Sequence, residues 1–171
     1  MWHWVVIVVL SFALIAFLYW GRKQKVNSSI AIGITAFMVL FLLDVGVGIR
    51  LSAPEYPYPG IDLRAEYHRL FHANEGLRVV MLFNIVVFVP FGFFFSEFIS
   101  STTRLSAWRR LGYATLASFG LSLCLECLQL FLRVGFFELT DLVLNTAGGF
   151  IGAGLALLGR KVLGIGKKCE Q

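Results

Sequence analysis

Residues 111–158 read LGYATLASFGLSLCLECLQLFLRVGFFELTDLVLNTAGGFIGAGLALL. This stretch predicts two apolar helices joined by a short turn, because apolar runs of spanning length lie on either side of residues 133–140. Both runs also contain groups that a lipid-exposed helix should avoid, namely Glu126, Gln129, Arg133, Asp141 and Asn145. A charge at the centre of a membrane-spanning helix costs roughly 2.5–3.5 kcal/mol on insertion scales. The hairpin therefore predicts polar side chains that face the inside of a membrane bundle.

The composition as a whole is that of a membrane protein. Hydrophobic residues make up 58% of 171 positions and charged residues 15%, and the mean hydropathy is +0.79. Soluble domains are typically about 45–50% apolar and 25% charged. We therefore expect an all-α, polytopic integral membrane protein that forms a single membrane domain over residues 1–171. The formal charge of +5 comes from basic clusters between the apolar runs, which indicates membrane topology and not a nucleic-acid partner.

Five apolar runs have the length of transmembrane helices. They cover about residues 4–20, 29–49, 79–99, 111–132 and 141–158. No Lys or Arg precedes the first run, so we expect a span there and not a signal peptide. With five spans, ten of the 15 Lys and Arg residues fall on one side. These ten are Arg22, Lys23, Lys25, Arg104, Arg109, Arg110, Arg160, Lys161, Lys167 and Lys168. The positive-inside rule then places the N-terminus outside and the C-terminus inside.

The long outer segment, residues 50–78, begins as irregular chain because it contains Pro54, Pro57 and Pro59. Residues 63–75 then predict a short amphipathic helix on the outer membrane surface, ended by Gly76. One arc of this helix carries His68, His72 and Glu75. That spacing suits either a metal or a solvated polar face, and the solvated face is the simpler interpretation. We expect no metal and no other cofactor.

Polar residues share one face in each of the last two spans. In the fourth span a roughly 80° arc holds Ser118, Ser122, Glu126, Gln129 and Arg133. In the fifth span an arc of about 60° holds Asp141, Asn145, Gly148 and Gly152. The polar stripes should face the bundle, and the G-x-x-x-G pair should allow another helix to approach closely.

Depth places these groups in the outer half of the membrane. At 1.5 Å per residue, Glu126 lies about 9 Å and Asn145 about 6 Å from the outer ends of their spans. Asp44 and Asn84 lie at similar depth, and the short turn brings Arg133 near Glu138 and Asp141. The result is either a site that opens outward or a structural network, and the residues alone leave both open.

Three ordered motifs carry a resemblance to a known family. They are Asn84-Ile-Val-Val-Phe-Val-Pro90-Phe-Gly92, Glu126-x-x-Gln129-x-x-x-Arg133, and Gly135-x-Phe137-Glu138-Leu-x-Asp141-x-x-x-Asn145-Thr-x-Gly148-Gly149. Over about residues 79–155 the chain resembles the VanZ-like membrane protein family. Glu138 departs from the family, where Asp is frequent, but keeps the charge. The family is bacterial and is named for a protein associated with low-level resistance to teicoplanin, a glycopeptide antibiotic that acts on lipid-linked cell-wall precursors.

The resemblance implies a multi-pass protein of the bacterial cytoplasmic membrane that alters the susceptibility of the cell envelope to antibiotics. Its expected partners are membrane lipids or lipid-linked envelope precursors, bound in an outer-leaflet pocket. Arg133 would contact an anionic head group and Glu126 and Asp141 would orient it. The remaining members of this polar cluster would be Asn84, Gln129, Asn145 and Asp44. No catalytic residue is assigned, but a membrane enzyme using Glu126 and Asp141 as acid and base, or a small transporter or flippase, remains an alternative. The oligomeric state is not predicted.

Overall fold

A computed structural model describes residues 28–48, 51 and 63–162, and these residues contain helices and no strand. The helices are α1 (Ser28–Leu43), α2 (Leu63–His72), α3 (Glu75–Thr102), α4 (Ala107–Phe131) and α5 (Leu139–Val162). A π-helical turn, Asp44–Gly48, continues α1. The all-α prediction is confirmed. The predicted first span, residues 4–20, lies outside the described residues.

Three helices are long and apolar enough to cross a membrane, namely α3, α4 and α5, and α1 contributes a shorter apolar segment, Ile32–Gly48. Their exposed surfaces carry large apolar side chains such as Leu82, Leu116 and Phe150. Polar groups such as Ser118 and Glu126 are buried instead. An apolar exterior around polar contacts is the arrangement expected of a membrane protein.

The short helix of the long segment ends earlier than its sequence predicts. α2 stops at His72, and Asn74 begins α3 as its N-cap, with Asn74 Oδ1 accepting a hydrogen bond from Leu77 N at 2.9 Å. Gly76 therefore lies in the first turn of α3 and does not end α2. The prediction of one helix over residues 63–75 was wrong here, because Asn is among the strongest N-cap residues and starts a new helix.

Glycines allow α3 and α5 to cross at backbone contact. A Cβ added at Gly92 would overlap the carbonyl oxygen of Gly149, and one added at Gly152 would overlap that of Val89. Gly148 lies in the same way against the carbonyl of Ile85. The predicted close approach along Gly148 and Gly152 is confirmed, and α5 packs against both α3 and α4.

The bundle has two ends that carry different chemistry. Residues 132–138 form the α4–α5 turn, and α2, the start of α3 and the end of α1 lie at the same end of the bundle. Residues 103–106 form the α3–α4 turn, and α5 finishes at that end. An apolar cluster built on Leu42, Val87, Phe88, Phe91 and Leu125 joins α1, α3 and α4. This packing fixes the α4–α5 turn relative to the other helices.

Candidate functional site

A column of polar side chains runs along the buried face of α4. Ser118, Ser122, Glu126 and Gln129, here called the polar column, are between 0 and 4% exposed. Ser122 contacts α5, since Asn145 Nδ2 donates to its Oγ at 2.9 Å, and Glu126 contacts the last residue of the α4–α5 turn, since its Oε2 accepts from Glu138 N at 2.7 Å. Ser118 Oγ donates to its own helix, to Ala114 O at 2.8 Å. The stripe thus faces the bundle interior as its spacing predicts.

Gln129 joins the polar column to α1. Its Nε2 donates to the carbonyl oxygen of Gly46 at 2.9 Å. Gly46 belongs to the π-helical turn, where the ordinary i→i−4 pairing is interrupted and backbone carbonyls need other donors. Asp44 begins that turn, but its side chain is exposed. Gln129 is therefore a tether between two helices, and Asp44 lies outside the polar column.

The start of α5 is held by a carboxylate from α2. Glu66 Oε2 accepts a hydrogen bond from Thr140 N at 2.9 Å and a short one from Thr140 Oγ1. Thr140 is the second residue of α5, and its N–H has no partner within the helix. A carboxylate at this position also interacts favourably with the helix dipole. Glu66 was not predicted, although it lies three residues after Leu63 and four before Leu70, which places an acid on the apolar face of α2.

Four carboxylates are buried around the first turn of α5. Glu66, Glu126, Glu138 and Asp141 are each 9% exposed or less. A buried carboxylate is costly unless it is hydrogen-bonded or paired. Glu66 and Glu126 meet this need with backbone N–H groups, and Glu126, Glu138 and Asp141 take part in further interactions. Glu126 and Glu66 therefore hold the backbone at the last residue of the α4–α5 turn and at the start of α5.

Arg133 lies beyond the end of α4 and outside the polar column. The helix finishes in a Schellman motif, with Val134 N donating to Gln129 O at 3.0 Å and Arg133 N to Leu130 O at 3.2 Å. Arg133 occupies the left-handed position of this motif, with φ 56°. Its side chain is exposed. Helical spacing placed it on the stripe because the spacing assumed that the helix continued past Phe131.

The predicted ion pairing of Arg133 with Glu138 or Asp141 is not found. Within the described residues the Arg133 side chain makes no hydrogen bond and no ion pair. The Arg133 side chain is exposed, whereas the carboxylates are buried and engaged with other groups. The α4–α5 turn therefore carries an exposed arginine, and the carboxylates around the start of α5 are buried.

Asn84, elsewhere in the bundle, has a side-chain hydrogen-bond donor without an acceptor. It lies in α3, its side chain is partly buried, and its Nδ2 atom is buried without a hydrogen-bond partner. A buried amide donor without an acceptor costs about 1–3 kcal/mol. The structure thus brings Glu126, Gln129, Asp141 and Asn145 into the buried region around α4 and α5, but leaves Asn84 without a bond to them.

The two histidines of α2, His68 and His72, lie near each other, with ring centroids 5.3 Å apart and the rings tilted by 46°. Glu75 lies on the next helix, past the break at residues 73–74. Among the residues that the structure describes, no group of three His, Cys, Asp or Glu side chains is placed to hold a metal ion. His68 and His72 are both exposed, as a solvated polar face would be.

An ion pair at the other end of the bundle escaped the sequence-based prediction. Glu97, near the end of α3, is only 1% exposed. Arg160 binds it through two hydrogen bonds, Nε to Oε1 at 2.8 Å and Nη2 to Oε2 at 2.9 Å. The signal was available, because both residues lie roughly 32 Å from the starts of two helices that run in the same direction.

Comparison with known proteins gives a family for this architecture. The family model described as VanZ/LLP1 matches residues 4–160. A curated relative, "Protein VanZ" of Enterococcus faecium, is 30% identical over 127 residues, which cover 73% of this chain and 68% of the relative. No solved structure matches the chain. The matched region contains all five described helices almost to their last residue, and the chain belongs to the VanZ/LLP1 family.

Proposed function

We propose that this protein acts in the bacterial cytoplasmic membrane as VanZ-like proteins do, and that it lowers susceptibility to the glycopeptide teicoplanin. It does so by binding an anionic lipid or a lipid-linked envelope precursor at the α4–α5 turn, in the outer leaflet. Family membership and the similarity to Protein VanZ support the resistance part of this proposal. The side of the membrane rests on charge, because Arg104, Arg109, Arg110, Arg160 and Lys161 all lie at the opposite end of the bundle.

The observation that carries the binding part is the position of Arg133. A non-glycine residue in the left-handed region costs about 1–2 kcal/mol. Glycine would end the helix at this position without that cost. What arginine adds here, compared with glycine, is its guanidinium side chain. The guanidinium is exposed and, within the described residues, unpaired. A planar guanidinium can bind two phosphate oxygens at once, which makes a phosphate-bearing head group its natural ligand.

The buried groups below the turn would hold this arginine in place. Glu126 fixes the backbone of Glu138, five residues after Arg133. Asn145 and Gln129 connect α4 to α5 and α1. A site held from several helices keeps its geometry better than a free loop. In this proposal Glu126, Gln129, Asp141 and Asn145 form the support, and Arg133 and Asp44 are the exposed charges.

Susceptibility testing of a bacterial host decides the proposal. The host would express the wild type, Arg133→Ala or Arg104→Ala, and teicoplanin and vancomycin would be tested side by side with membrane abundance quantified. Arg104 is an exposed arginine in the α3–α4 turn and serves as a matched control. We expect wild type and Arg104→Ala to raise teicoplanin tolerance and Arg133→Ala to lose the effect at equal abundance. A wild type without effect, or an Arg133→Ala variant that behaves as wild type, would refute the proposal.

A further inference from the structure

The α3–α4 end of the bundle contains a second charged cluster that the proposed function does not use. Its centre is the buried ion pair of Glu97 with Arg160. The Arg160 side chain remains 21% exposed, so the pair can be reached from the membrane surface. Arg110, in the first turn of α4, lies at the same end of the bundle and interacts electrostatically with both residues.

Arg110 has no adequate partner in this cluster. It is repelled by Arg160 and attracted by Glu97, but Glu97 already accepts two hydrogen bonds from Arg160. The Nε atom of Arg110 is buried and has no hydrogen-bond partner. One carboxylate therefore faces two guanidinium groups, and a buried donor is unsatisfied. Both features are costly when nothing else compensates them.

We propose that Arg110 and Arg160 together bind a phosphate group at this end of the bundle, supplied by the head group of an anionic phospholipid or by free phosphate. A phosphate offers several acceptor oxygens and the negative charge that the cluster lacks, and guanidinium groups bind phosphate through paired hydrogen bonds. The nearby N-terminus of α4 adds partial positive charge. Ser106, the N-cap of α4, makes no side-chain capping bond that would compete for that turn.

This site is independent of the proposed function at the α4–α5 turn. It uses none of the same residues, and it lies at the opposite end of the same helices. The positive-inside rule explains why basic residues gather at this end. The rule does not explain why Arg110 has a buried donor without an acceptor at an end where the carboxylate of Glu97 is already bound by Arg160.

Thermal unfolding of the purified full chain in detergent tests the site. We would titrate three ligands separately at constant ionic strength: phosphatidylglycerol, phosphatidylcholine and inorganic phosphate. A ligand that binds the folded state raises Tm by mass action. Arg110→Gln is compared with Arg109→Gln, which removes the same charge from the neighbouring exposed arginine. We expect phosphatidylglycerol to stabilise the wild type more than phosphatidylcholine. Arg110→Gln should weaken that effect by about tenfold in apparent affinity, and Arg109→Gln by less than about twofold.

The two sources of phosphate give distinguishable results. Stabilisation by inorganic phosphate as well as by phosphatidylglycerol identifies a site for the phosphate group itself, and stabilisation by the lipid alone identifies a head-group site. Equal losses in the Arg109 and Arg110 variants would overturn the proposal, because they would show attraction by diffuse charge only. Equal stabilisation by the two lipids would overturn it as well.

Glu97→Gln provides a second test that does not need the Arg110 variant to fold. Removing the carboxylate abolishes the charged acceptor of the two hydrogen bonds from Arg160 and deletes the negative charge that competes with the ligand. The affinity for phosphatidylglycerol should therefore rise several-fold even though the unliganded protein is less stable. An unchanged or weaker affinity would contradict the proposal.

Discussion

Replacing Arg133 with glycine separates the backbone of the α4–α5 turn from its guanidinium. Arg133 has φ 56° in the Schellman motif that ends α4, a conformation that costs an L-residue with a Cβ about 1–2 kcal/mol. Glycine adopts it without that cost. The side chain is exposed and makes no bond within the described residues, so its loss removes no structural contact there. Arg133→Gly should therefore be as stable as the wild type or more stable.

The expected gain is measurable as a change in Tm. For a chain of this size 1 kcal/mol corresponds to about 2–4 °C. Arg133→Ala is the matched control, because it removes the same guanidinium but keeps a Cβ at the left-handed position. Thermal unfolding of the detergent-purified variants should rank glycine above alanine, with alanine close to the wild type. The difference between the two variants isolates the contribution of the backbone.

The same variant then separates function from stability. If the guanidinium binds the ligand, Arg133→Gly should lose teicoplanin tolerance although it folds at least as well as the wild type. A glycine variant less stable than the alanine variant would refute the structural reasoning, because it would show that the left-handed backbone at position 133 carries no cost that glycine relieves. A glycine variant with full tolerance would refute the functional reasoning.

Three further predictions concern packing, capping and topology. Gly92→Ala should destabilise the bundle by about 1–3 kcal/mol in thermal unfolding, because its Cβ would overlap the backbone of α5. Gly120→Ala is the control: the space around its Cβ position is open, so it should be neutral or stabilising in the same assay. Glu66→Ala should cost about 1–3 kcal/mol by leaving the N-terminus of α5 uncapped, whereas the same change at the exposed Glu75 should have little effect on Tm; equal effects would contradict the capping role. We expect the basic α3–α4 end to lie inside, so a green fluorescent protein fused after Lys161 should fluoresce and an alkaline phosphatase fused there should be inactive; the reverse result would invert the topology.

Helical periodicity was sufficient for most of the buried polar groups. Ser118, Ser122, Glu126 and Gln129 recur at helical spacing in an otherwise apolar run, and all four are buried where that spacing places them. The glycine face of α5 followed from the same rule. These features depend only on spacing within one helix, and in a regular helix the spacing fixes the face on which each residue lies.

The errors occurred where the helices end and where contacts are distant in sequence. Arg133 was placed on the stripe because the end of α4 at Phe131 depends on a Schellman motif built around a non-glycine residue, which the usual glycine signal does not mark. Glu66 and Glu97 bind residues 74 and 63 positions away. Periodicity within one helix carries no information on such partners, and only the comparison of depths between helices could have paired Glu97 with Arg160.

Direct binding of a lipid-linked cell-wall precursor to the purified protein is the measurement closest to the central claim. Wild type, Arg133→Gly and the control Arg104→Ala would be compared at equal concentration in the same detergent. Saturable binding by the wild type and by Arg104→Ala, weakened about tenfold or more in Arg133→Gly, is the predicted result. Equal binding by all three proteins, or no saturable binding by the wild type, would contradict the claim that the α4–α5 turn is a site for an envelope lipid.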